Sequence, residues 1–115
     1  MFPREDATIN ILEVARLNDL FRQTFAGGKV VMTSGVARLT EGTKSKIIDA
    51  VRAFDAFTED NDPHGEHDFG SFSIEGEEFF FKIDYYDLTL THGSENPTDP
   101  AVTVRILTIM QAREY

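Results

Sequence analysis

Ile11, Val14, Leu17, Phe21 and Phe25 recur at steps of three and four residues, the spacing that lines one face of an α-helix. Glu13, Arg16, Asp19 and Arg22 fill the other positions and are expected on the solvent side. Asn10 with Glu13 reads as the N-cap, Ile9 and Val14 as a hydrophobic staple across it, and Gly27-Gly28 as the stop. Asp6 and Thr8 offer a start one turn earlier. Val30 to Thr33 predicts a strand, interrupted at Gly35 and resumed over Val36 to Leu39 after a bulge. A second helix is expected from about Thr43, with Ile47, Val51 and Phe54 on its inner face.

Thr58 to Asp68 is polar, and Pro63 and Gly65 bar a helix through it. Beyond this loop the pattern changes to alternation. Phe72 and Ile74, then Phe79, Phe81, Ile83 and Tyr85, predict two antiparallel strands joined by a tight turn at Glu75-Gly76. The second strand is aromatic on both faces and is expected to lie centrally. Asp99-Pro100 supplies a cap and a first-turn proline, so a terminal helix from Pro100 to Arg113 is expected, with Val102, Ile106 and Ile109 inward. The β-branched content of that segment leaves a strand open there. The order α-β-α-β-β-α predicts an α+β fold. Its sheet is expected to be small and antiparallel, with three to four strands and two or three packed helices, in a single domain over residues 1–115.

Charge is distributed unevenly. Nine of the 20 acidic residues fall between positions 53 and 81, where there is no Lys or Arg, so the net charge of −9 is concentrated in about a quarter of the chain. Such a field points to a basic partner, to a bound cation, or to a surface that repels nucleic acid. The chain has no cysteine, which excludes disulfides, thiolate metal sites and cysteine nucleophiles. The N-terminus lacks the basic start and apolar stretch of a signal peptide, and no apolar run exceeds three residues, so a soluble cytoplasmic protein is expected.

Candidate chemistry gathers in the polar loop. Asp62, Glu66 and His67, joined by Asp84 from the following strand, offer the oxygen and imidazole ligands that Mg²⁺, Mn²⁺ or Ca²⁺ would take, with Asp68 and Asp87 near them in sequence. The loop start at Asp60 echoes a calcium loop, but His64 stands at position five and Ser71 at position twelve, which excludes an EF-hand. The structural alternative has Asp62 and Asp68 capping turns, Gly65 taking a positive φ, and a buried, hydrogen-bonded His67 pinning the loop to the sheet. Gly27-Gly28-Lys29 follows a helix, the wrong order for a phosphate loop. The run Phe79-Phe80-Phe81 has Glu77 and Glu78 beside it instead of the basic residues of a base-stacking surface. Ser34 and Ser45 carry no nucleophile signature.

The segments Ala15 to Arg22, Asn61-Asp62-Pro63-His64-Gly65-Glu66-His67-Asp68-Phe69-Gly70 and Lys82-Ile83-Asp84-Tyr85-Tyr86-Asp87 resemble a family of small proteobacterial proteins of unknown function. The resemblance extends from about Ala15 to Tyr115, carries no catalytic residue, and through the family's presence on mobile elements implies plasmid or phage biology.

Two functions follow. One is a non-enzymatic protein-binding module whose acidic residues Glu59, Asp60, Asp62, Glu66, Glu75, Glu77 and Glu78 engage a basic, nucleic-acid-binding protein, as a DNA-mimicking inhibitor would. It needs no cofactor. The other is a small metal-dependent hydrolase or nuclease built on Asp62, Glu66, His67 and Asp84. The sheet edges allow a dimer without requiring one.

Overall fold

Helix α1 spans Pro3–Thr24, the longest element of a computed structural model that describes the backbone of residues 3–115 and side chains from residue 10 onward. It passes straight through Asn10, so that residue caps nothing; the Ile9 half of the expected staple lies outside the described side chains. The inner face is also rotated from the apolar pattern. Val14, Ala15, Asn18, Phe21 and Arg22 are buried, whereas Ile11 is 39% exposed. Arg22, expected in solvent, is only 2% exposed.

Strand β1 (Gly28–Met32) follows, then a single turn of helix, α2 (Ser34–Ala37), where the sequence suggested a resumed strand. Val36 turns into the core from that turn. Helix α3 (Glu41–Ala53) starts at Thr40, whose hydroxyl accepts from the Thr43 backbone N–H at 3.2 Å. Its Ile47 and Val51 are fully buried, as their spacing requires.

Strands β2 (Phe69–Ile74) and β3 (Glu77–Tyr86) form the expected hairpin. Glu75 and Gly76 have φ of 52° and 81°, the pair of positive angles that a two-residue turn needs to match strand twist. The chain then runs through a long connection into β4 (Val104–Gln111) and one turn of 3₁₀-helix (Ala112–Glu114). The C-terminal segment is thus a strand, and its cap signal serves a turn: the Asp99 carboxylate accepts from Ala101 N–H at 2.9 Å. Ile106 and Val102 do not face inward as a helix would have placed them. Leu107 and Ile109 do.

The α+β class is as expected, with four strands in the order β1-β4-β3-β2. The sheet is mixed instead of antiparallel, because β4 pairs parallel with β1 and antiparallel with β3. A C-terminal strand can enter the middle of the sheet only by inserting beside both. β3 is central, flanked by β4 and β2. Phe21, Val36, Ile47 and Val51 from the helices pack on Phe79, Phe81, Ile83, Leu107 and Ile109, so the helices share one face. Tyr115 lies against the rings of Phe69 and Phe80 on the other. No described helix is long and apolar enough to cross a membrane.

Candidate functional site

The loop between α3 and β2 is built from its own side chains. Asn61 accepts from Thr58 N–H at 2.8 Å and donates to the Ala56 carbonyl at 2.8 Å. The Asp62 N–H bonds the Thr58 carbonyl, and Gly65, with φ of 70°, bonds back to the Asp62 carbonyl. The Asp62 carboxylate then accepts from the His67 backbone N–H at 3.2 and 3.3 Å. This is the turn-capping role, and it explains why Asp62 is buried.

His67 sits at φ 58°, a sparsely populated angle for a side chain of its size. Its ring stacks on Phe57 at 4.0 Å between centroids, nearly parallel. Nδ1 meets the Asp19 carboxylate at 2.9 and 3.0 Å, and Nε2 lies 3.8 Å from Asp62. Asp19 also accepts from Arg22 at 2.8 Å. The Arg22 guanidinium in turn lies 5.2 Å over the Phe57 ring, and its buried Nε has no partner among the described residues. His67 is therefore half-buried between two carboxylates, and it pins the loop to α1.

One residue along, Glu66 faces the sheet. Its carboxylate accepts from the Tyr85 hydroxyl at 3.0 Å, and its carbonyl accepts from the Asn18 amide at 2.9 Å. Asn18 donates to Tyr85 at 2.7 Å and accepts from Arg105 Nε at 2.8 Å. Burial pushes the Tyr85 phenol far above its usual pKa, so it keeps the proton it donates. Burial also raises the Asp68 carboxyl, with the Glu66 charge adding to the effect.

Asp84 does not join this group. Tyr85 faces α1, so strand alternation puts Asp84 on the opposite face, where it pairs with Lys82 at 3.1 Å and raises the lysine pKa through that bond. Asp87 accepts from Thr89 and Thr91 in the following turn, and those bonds lower its pKa. Among the described residues no three His, Asp or Glu side chains converge as a metal site would require. Asp62 and His67 come together; Glu66 and Asp84 point elsewhere.

The acidic residues divide as well. Glu59 and Asp60 are exposed in the loop, and Glu77 and Glu78 at the β2–β3 hairpin. Glu75 is held by Lys46 at 3.0 Å and Thr43 at 2.9 Å, contacts that lower its pKa, the Lys46 bond most. Glu66 meets Tyr85 eight residues along β3 from Glu77, or roughly 26 Å at a strand's rise per residue. The exposed carboxylates thus form two groups, one in the loop before β2 and one at the hairpin turn, and Asp62 and Glu66 belong to neither.

The sequence pattern missed Asn18, Asp19, Arg22 and Arg105. One signal was available: Asn18 and Arg22 are spaced four apart, in register with Val14 and Phe21. No curated protein and no solved structure matches the chain. A family model described as a protein of unknown function (DUF3768) matches residues 32–114, from the end of β1 to the 3₁₀ turn and without α1. The chain belongs to that family of proteins of unknown function.

Proposed function

We propose that the chain is a non-enzymatic protein-binding module that presents exposed carboxylates to a basic partner. One observation carries this reading. The groups in the loop suited to chemistry, Asp62, Glu66 and His67, are bonded inside the fold, whereas Glu59, Asp60, Glu77 and Glu78 are exposed and form no ion pair among the described residues.

Exposed like charges repel one another, and a cationic surface relieves that repulsion while speeding encounter. A nucleic-acid-binding protein is the partner class this charge suits. The two separated patches favour a partner that grips one end of the hairpin over one that follows an unbroken phosphate-like row.

A pull-down with the purified chain as bait, read by mass spectrometry, tests the reading. The captured protein should be basic and should release as salt rises. Capture should be lost from either the Glu59→Lys/Asp60→Lys or the Glu77→Lys/Glu78→Lys variant. Capture of one and the same protein by both variants, undiminished, refutes it.

A further inference from the structure

A cavity of about 210 Å³ opens between the second half of α1, the turn into β1 and the segment before β4. Leu17, Leu20, Phe21, Ala26 and Pro100 give it apolar walls, and Arg105 brings a charge to it. Arg105 is only 4% exposed. Its Nε donates to Asn18 at 2.8 Å, its Nη2 donates to the Pro97 carbonyl at 2.6 Å, and its guanidinium lies 5.2 Å over the Tyr85 ring. All three partners are neutral.

Among the described residues no carboxylate pairs with Arg105. The other buried arginine, Arg22, has Asp19 at 2.8 Å. A charge taken out of water without a counter-charge is costly. Burial accordingly pulls the Arg105 pKa below its ordinary value, with Tyr85 and Glu13 opposing more weakly. Nη1 makes no hydrogen bond among the described residues, yet it is not among the atoms sealed from solvent. The bonds to Asn18 and Pro97 tie α1 and the long connection to β4. That tie needs donors and does not account for a full charge beside an apolar cavity.

We propose that this cavity binds a small aliphatic carboxylic acid, with the carboxylate on Arg105 and the chain against Leu17, Leu20 and Phe21. With Nε and Nη2 engaged, Nη1 is the nitrogen left to donate a charge-assisted bond to a carboxylate. The volume is below the roughly 300 Å³ at which drug-sized sites begin, which limits the ligand to a short chain. Leu20, 50% exposed, forms the lip, and Gly27 leaves the entrance open, with nothing within 4 Å of where a side chain would start.

Titration of the ¹⁵N-labelled protein with hexanoate and with hexan-1-ol, followed by NMR, is the test. Hexanoate should shift Leu17, Leu20 and the Arg105 side-chain N–H, and bind at least about tenfold more tightly than the alcohol, as expected for pairing a buried charge. Arg105→Gln should remove that preference. Ala26→Trp, which fills the mouth and leaves the Arg105 bonds intact, should weaken both ligands, so the reading does not depend on Arg105→Gln folding. A short peptide ending in free leucine, set against its C-terminal amide, separates a protein C-terminus from a free acid as the source of the carboxylate. Equal binding of acid and alcohol, no binding of hexanoate, or undiminished binding to Ala26→Trp overturns the proposal. The Glu59→Lys/Asp60→Lys variant should bind hexanoate normally, which keeps this outcome separate from that of the acidic patches.

Discussion

Replacing Asn18 by Ala is expected to be the most damaging single polar change in the described structure. Asn18 is fully buried and joins α1 to three other segments: the Glu66 carbonyl, the Tyr85 hydroxyl and Arg105 Nε. Truncation leaves the carbonyl and the guanidinium N–H without their partner at a position where Asn18 is fully buried. A neutral bond contributes about 1 kcal/mol net, and a bond to a charged group about 1.5–3 kcal/mol. Tyr85 loses least, because it still donates to Glu66. The expected cost is about 3–5 kcal/mol, a large share of the roughly 5–15 kcal/mol that holds a domain of this size together. Equilibrium urea unfolding followed by far-UV circular dichroism measures it. Coupling between Asn18→Ala and Tyr85→Phe in a double-mutant cycle should be of the order of 0.5–3 kcal/mol. A loss under about 1 kcal/mol for Asn18→Ala, or additivity in the cycle, would refute the view that this amide organises the network.

Gly70→Ala should destabilise by about 1–3 kcal/mol in the same assay, because the new methyl would run into the Phe81 ring and lie 2.8 Å from Phe54 in the packed core. Asp68→Asn should raise Tm at pH 7. The folded pKa of Asp68 lies above its unfolded value, so the ionised carboxylate works against the fold once the pH passes from 3.8 through the raised value. The gain should fade as the pH falls below 3.8, and a Tm unchanged at pH 7 would contradict the assignment. Thermal unfolding in EDTA and then in millimolar Mg²⁺, Mn²⁺, Ca²⁺ or Zn²⁺ should give one Tm, because Asp62, Glu66, His67 and Asp84 do not converge. A rise that His67→Ala abolishes would restore the metal reading.

Much of the architecture was legible in the chain. Ile47 and Val51 announced an inner helix face, the alternation from Phe79 to Tyr85 a central strand, and Glu75-Gly76 the turn before it. These signals are local, since each depends on side chains three or four apart on a helix or two apart on a strand. The last element was harder to read. Asp99-Pro100 is a sound helix start by local rules, but Val104, Ile106, Thr108 and Ile109 prefer a strand, and an open place between β1 and β3 decided the matter.

The candidate site was legible only in part. The turn chemistry of Asp62 and Gly65 could be read from residues three to five apart. The partners of His67, Glu66 and Arg105 could not, because Asp19, Tyr85 and Asn18 lie 48, 19 and 87 positions away. The sequence alone determined the periods, the turns and the excess of negative charge. Which polar residues are buried and, among the described residues, which carboxylates remain free and which arginine lacks a counter-charge were decided by the packing of α1 across the sheet. Burial changes the energy of a charge far more than its identity does, and burial is a property of the assembled fold.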